Sequence, residues 1–146
     1  MTQTTEIKSD GSVFVAIRIR PQNESDLNEN CCNITEVVNK KSIRIKNSEY
    51  EFDRVYDMDS MQIQLFNELA KPLVDKCLGG FNAAIFAYGQ TGSGKTYTMG
   101  TSYNETVIEE TVGLIPRTIS YLFEEIKILQ TSGAAINVSV QFLELY

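Results

Sequence analysis

Residues 89–96 read Gly-Gln-Thr-Gly-Ser-Gly-Lys-Thr, a complete G-x-x-x-x-G-K-T sequence, and the apolar run Ala83-Ala84-Ile85-Phe86-Ala87-Tyr88 stands directly before it. Together they predict a buried strand, a glycine-rich turn and a helix start, the setting in which such a loop cradles phosphate. Gly89, Gly92 and Gly94 lack Cβ atoms, so backbone N–H groups can curl around phosphate oxygens without steric cost. A helix beginning near Lys95 adds the positive end of its dipole. Lys95 is placed to reach the β- and γ-phosphates as a point charge, and the Thr96 hydroxyl to ligate Mg²⁺. Gln90, Thr91 and Ser93 act in such a loop mainly through their backbone N–H groups. A nucleoside triphosphate and Mg²⁺ are therefore the expected ligands.

The rest of the composition narrows the class. The 146 residues suit one domain, and 42% hydrophobic with 22% charged residues is ordinary for a soluble globular chain. Net charge is −6, with no basic run of the kind that meets nucleic acid or anionic lipid. The longest apolar runs are five or six residues, too short to span a membrane, and the first twenty residues lack a signal-peptide core. Cytosol is the expected compartment. Histidine is absent, and Cys31, Cys32 and Cys77 have no C-x-x-C spacing, which argues against a zinc site or a Ser/Cys–His triad. The three cysteines are expected to be reduced, semi-buried packing residues.

Along the chain, residues 1–11 are polar and aperiodic and predict a flexible tail, with the folded region at 12–146. Val13 to Ile19 alternates as a strand that Pro21 ends, and 22–33 reads as a polar loop. Short β segments are expected at 34–38, 42–46 and 50–56, the last two joined by a hairpin turn at Asn47-Ser48-Glu49. Asp59 with Gln62 suggests a capping box for a helix whose Pro72 kinks it or starts its second half. Gly79-Gly80 stops that helix. Residues 101–112 read as an aperiodic loop with three glutamates. Ile115, Ile119, Leu122, Phe123, Ile126 and Leu129 form one helical stripe that begins near Gly113 and Pro116 and ends at Gly133. Ile136 to Phe142 alternates as a final strand. This order implies an α/β layer with helices packed on a central sheet.

The stretch Phe86 to Gly100 resembles the phosphate-loop signature of kinesin motor domains, including flanking Ala-Tyr and Tyr-Thr-Met that phosphate geometry does not require. Val15-Ala16-Ile17-Arg18-Ile19-Arg20-Pro21 resembles the first kinesin strand with its R-x-R-P motif. Phe52-Asp53-Arg54-Val55-Tyr56-Asp57, Gly113-Leu114-Ile115-Pro116-Arg117 and Phe142-Leu143-Glu144-Leu145-Tyr146 resemble three further segments in the family's order. The resemblance covers residues 13–146 and implies a P-loop NTPase three-layer sandwich of kinesin motor type, of which this is the N-terminal portion. It implies an ATPase motor that moves along microtubules, with ATP as its nucleotide and tubulin as partner, a cytoplasmic and cytoskeletal location that extends to the spindle, and a homodimer through a coiled coil outside this chain. It also implies that Arg18 and Pro21 flank adenine and that Tyr97 stacks on it. Met99-Gly100-Thr101 faintly resembles the chromokinesin-like group.

No aspartate follows Lys95, and the family's two switch motifs, N-x-x-S-S-R-S-H and D-L-A-G-S-E, are not in this sequence. A Walker B carboxylate is therefore not expected here, and Glu144, although it follows an apolar strand, is not read as one. The expected consequence is a fragment that lacks hydrolysis, dissolves poorly and binds nucleotide weakly. Two alternatives stay open: another P-loop ATPase of helicase or secretion type, and a non-catalytic kinesin-like nucleotide-binding module.

Overall fold

In the computed structural model, residues 13–100 and 109–144 are described. The expected tail at 1–11, the loop residues 101–108 and the last two residues of the sequence lie outside that range. A parallel pair forms the base of the fold: β1 (Ala16–Arg18) runs beside β5 (Arg54–Tyr56), with Ile17 opposite Val55. Backbone bonds from Asp53 N to Val15 O (3.0 Å) and from Ile19 N to Tyr56 O (2.9 Å) extend the pairing at both ends. Parallel strands need a long crossover. Here it consists of a short helix, α1 (Glu24–Asn28), and a three-stranded antiparallel sheet, β2 (Thr35–Val37), β3 (Ser42–Ile45) and β4 (Ser48–Glu51).

Two details differ from the sequence reading. The polar stretch 22–33 contains α1, because Asn23 and Asp26 make a reciprocal capping box: Asp26 N donates to Asn23 Oδ1 and Asn23 N donates to Asp26 Oδ2, both at 2.8 Å. The segment 50–56 is split between two sheets at Phe52-Asp53, so β4 closes the hairpin and β5 joins β1. The hairpin loop is tighter than expected. Ile45 pairs with Ser48, and Lys46 takes the left-handed turn at φ 55°.

The first long helix has three parts, α2 (Gln62–Leu65), a π segment (Phe66–Ala70) and α3 (Lys71–Leu78). Pro72 has no N–H for the Glu68 carbonyl, and its ring would press on that turn. The helix responds by widening, with Lys71 N donating five residues back to Phe66 O. Its N-cap is Met61, without a side-chain bond, so the expected Asp59–Gln62 capping box does not form. The helix α4 (Lys95–Met99), a 3₁₀ turn (Glu109–Thr111) and α5 (Leu114–Thr131) complete the elements. As expected, Gly133 follows α5 in the left-handed conformation, at φ 91°.

Tyr56, Leu65, Phe66, Ala70 and Leu114 form the buried core, with Ala16, Leu69, Met99 and Tyr121 packed around it. This core ties β5, the π segment and α5 to the end of α4. Beyond it, the two remaining strand readings are not realised. Residues 83–88 and 136–142 carry no strand assignment, and Phe86, Tyr88 and Phe142 are 90% or more exposed. A strand is stabilised by its ladder and its covered face. Neither segment has a ladder partner among the described residues. The same lack of cover leaves Ile115, Ile119 and Phe123 of the α5 stripe open to solvent, while Leu114 and Ile126 are buried. All three cysteines are exposed, which corrects the expectation of semi-buried packing residues.

Candidate functional site

The loop 89–96 takes the conformation its glycines permit. Gly89, Gly92 and Gly94 have φ of 152°, 80° and 95°, a region that side-chain-bearing residues rarely enter. At Gly89 the space is also closed, since a Cβ there would lie 2.5 Å from Ser93 Oγ. Gly94 is the N-cap of α4, so the turn runs directly into the helix that carries Lys95 and Thr96. The Lys95 ammonium folds back over the loop, donating to Gly89 O at 2.7 Å and to Gln90 O at 2.8 Å. An ammonium has three donors, so Lys95 can brace the loop and still reach a phosphate oxygen. Gln90, Thr91 and Thr96 are exposed, and Ser93 is half-buried with its N–H donating to Gln90 O at 3.2 Å.

Arg18 and Tyr97 come together although 79 positions separate them. The Arg18 guanidinium lies 5.2 Å from the centre of the Tyr97 ring, a cation–π geometry. Its Nη1 donates to Gln62 Oε1 (2.9 Å) and Thr98 Oγ1 (3.0 Å), and its Nη2 to the Ser60 carbonyl (3.0 Å). Burial pushes the Arg18 pKa down and Tyr97 partly opposes this, although an arginine stays charged in either case. Tyr97 remains about half exposed, leaving ring surface available to a ligand. Pro21 sits exposed at the end of the same segment.

Three residues in this neighbourhood were not among the site residues expected from the sequence. Gln62 is fully buried and links Arg18 to the Tyr97 carbonyl, which its Nε2 reaches at 2.6 Å. Arg20 packs its stem toward Gly94, where a Cβ would come 3.8 Å from Arg20 Cδ, and Asp26 of α1 holds its head at 2.6 Å. The R-x-R-P spacing indicated Arg20, but nothing in the sequence showed that Asp26 would neutralise it.

As for a cation, no group of three or more His, Cys, Asp or Glu side chains that could hold a metal occurs among the described residues. The chain's own contribution to a Mg²⁺ would be the Thr96 hydroxyl at the start of α4, with nucleotide oxygens supplying further ligands. The loop fits a phosphate chain on geometry alone, since its three glycines adopt the positive φ values that backbone N–H cradles use.

The family model described as the kinesin motor domain matches residues 18–146, a span that takes in Arg18, the loop, Tyr97 and α5. The chain belongs to the kinesin family. This decides against the helicase and secretion-type alternatives. Human kinesin-like protein KIF21A is 40% identical over 146 residues, covering 94% of this chain and 9% of that protein. The Drosophila kinesin Kin10/NOD, solved in complex with divalent manganese and ADP, superimposes with a TM-score of 0.72 at 30% identity, covering 82% of this chain and 40% of that one. A fast kinesin, solved for what it implies about ATPase mechanism and interactions with microtubules, gives a TM-score of 0.74 at 36% identity and 80% cover of this chain, 34% of its own. The present chain therefore spans less than half of each, and its α/β architecture is that of part of a kinesin motor domain. No helix among the described residues is long and apolar enough to cross a membrane.

Proposed function

We propose that this chain is the nucleotide-gripping part of a microtubule motor that couples ATP hydrolysis to force or movement along the track, in the cytoplasm and at the microtubule cytoskeleton, including the spindle. The observation that carries this reading is the juxtaposition of two half-sites on consecutive residues: Lys95-Thr96 closes the phosphate loop, and Tyr97, next in sequence, lies against Arg18. ATP binds with its phosphates along Gly89, Gln90, Thr91, Gly92, Ser93 and Gly94, its β- and γ-oxygens near Lys95, and its adenine on Tyr97 between Arg18 and Pro21. When bound, Mg²⁺ neutralises charge on the phosphates, with Thr96 as its ligand from this chain. Lys95 supplies fixed positive charge where negative charge gathers, and the loop N–H groups orient the phosphates. The Arg18 guanidinium and the Tyr97 ring set the base position. Support comes from the family match and from relatives whose nucleotide and track are recorded.

In the full-length protein, Lys95→Ala is expected to lower ATP turnover by at least about a hundredfold. Thr96→Asn is expected to raise the Mg²⁺ concentration needed for half-maximal turnover. Microtubule-stimulated turnover that survives Lys95→Ala unchanged would refute the assignment. Loss of turnover with unchanged microtubule co-sedimentation in the nucleotide-free state is the pattern that supports it.

A further inference from the structure

We propose that Gln62 is a positioning residue that sets the nucleobase platform, joining Arg18 and Tyr97 into one preorganised unit. The proposal rests on the adenine-side reading given above. Gln62 is fully buried, an unusual place for an uncharged polar side chain unless all its polar atoms are engaged. Both ends of its amide are used. Oε1 accepts from Arg18 Nη1 at 2.9 Å, and Nε2 donates to the Tyr97 carbonyl at 2.6 Å and, at 3.5 Å, to the Thr111 carbonyl. One rigid amide therefore fixes the distance from β1 to α4 and touches the 3₁₀ turn ahead of α5.

The arrangement explains how a flexible arginine can hold still over an aromatic ring. The guanidinium is planar and has a fixed fork of donors. Gln62 Oε1, Thr98 Oγ1 and the Ser60 carbonyl take three of those donor directions, so the plane over Tyr97 is fixed from its far edge. The Tyr97 backbone is held by the same amide, so the turn of α4 that carries the ring is fixed relative to the guanidinium. A base arriving on Tyr97 then meets a guanidinium whose rotamer freedom has already been lost, and affinity gains accordingly. The phosphate loop shares none of these bonds: Lys95 is braced by Gly89 and Gln90.

The test separates base from phosphate. Calorimetric titration of the full-length protein with ATP and with inorganic tripolyphosphate, each with Mg²⁺, gives a ratio of affinities that reports on the base alone. Gln62→Leu is expected to lower that ratio about tenfold, the scale of a lost hydrogen bond to a charged partner, with tripolyphosphate affinity changed less than twofold. Because Gln62 is buried, Gln62→Glu is measured beside it: this keeps the acceptor for Arg18 but removes the donor to Tyr97, and is expected to lower the ratio by a smaller factor. Thr98→Val, away from the buried amide, is expected to lower it in the same direction. An unchanged ratio in all three, or equal loss of both ligands, would overturn the proposal. Arg18→Ala and Tyr97→Ala distinguish the two levels. If they lower the ratio and the Gln62 variants do not, only the positioning role fails; if they also leave it unchanged, the adenine-side reading fails with it.

Discussion

Glu68 on the π segment holds Arg54 of β5 by two parallel bonds, Nε to Oε2 at 2.6 Å and Nη2 to Oε1 at 3.0 Å. The Tyr56 hydroxyl donates to the same carboxylate at 3.0 Å, and Arg54 lies 5.1 Å from the Tyr56 ring centre. The fork geometry is the strongest form an ion pair takes. Together with the Arg18–Gln62 bond it docks the first long helix on the β1–β5 pair, and so it helps fix the frame on which Arg18 is carried.

The pair makes stability depend on pH in a defined direction. Burial, the largest single effect, pushes the Glu68 carboxyl up, but bonds from Arg54, Gln64 and Tyr56 together hold it below its ordinary value. A lowered carboxyl pKa means that the contribution is present above the unfolded value of about 4.3 and is lost as pH falls through the lower folded value. Thermal melts should show wild type above Glu68→Gln at pH 6, with the gap closing toward pH 3. A gap of constant size across that range would contradict the linkage.

Gly113 and Gly100 are in backbone contact where α4 ends and α5 begins. A Cβ on Gly113 would meet Gly100 N at 2.3 Å and Gly100 Cα at 2.4 Å, backbone atoms that cannot swing aside. Gly113→Ala should cost about 1–3 kcal/mol or more, through overpacking. Gly133→Ala, with open space around it but φ of 91°, should cost about 1–2 kcal/mol from conformation alone. Chemical denaturation of the two variants distinguishes clash from backbone strain.

Tyr121 on α5 joins three partners on the first helix. Its hydroxyl donates to Asp75 Oδ1 and accepts from Lys71 Nζ, both at 2.6 Å, and its ring meets Phe66 edge-on at 6.0 Å. Tyr121→Phe keeps the ring contact and loses only the hydroxyl. A loss of about 0.5–1.5 kcal/mol is expected, and Tyr121→Ala should cost distinctly more.

The exposed apolar residues predict the behaviour of the 146-residue polypeptide expressed by itself. Phe86, Tyr88, Phe142 and Leu143 are each more than 80% exposed, on two segments without ladder partners among the described residues. Such surface drives association. Light scattering should show self-association at micromolar concentration. A monodisperse monomer with a sharp cooperative melt that rises with Mg·ADP would contradict this.

The cysteines give a direct check on burial. Cys31, Cys32 and Cys77 should all react with a thiol reagent in the folded protein, without denaturant. One or more protected thiols would mean that those sites are packed, as composition alone had suggested.

How much of this could be read from the chain depends on the range of the interactions concerned. The conformation of the glycine-rich loop was legible because it is set by local backbone geometry, and Gly89, Gly92 and Gly94 adopt positive φ. The Pro72 disturbance, the α5 start at Gly113 and the cap at Gly133 were legible for the same reason. The strands at 83–88 and 136–142 were not realised, because alternation shows which residues suit a sheet and not whether a partner strand stands beside them. Asp59–Gln62 had the spacing of a cap, yet Gln62 turned inward to partners at positions 18 and 97, which no local pattern encodes. The sequence by itself determined which residues make up the proposed phosphate grip, since they are consecutive. Only the tertiary structure decided what the grip faces: the buried Gln62 amide that joins Arg18 to Tyr97 depends on long-range packing, where position in the chain and position in space part company.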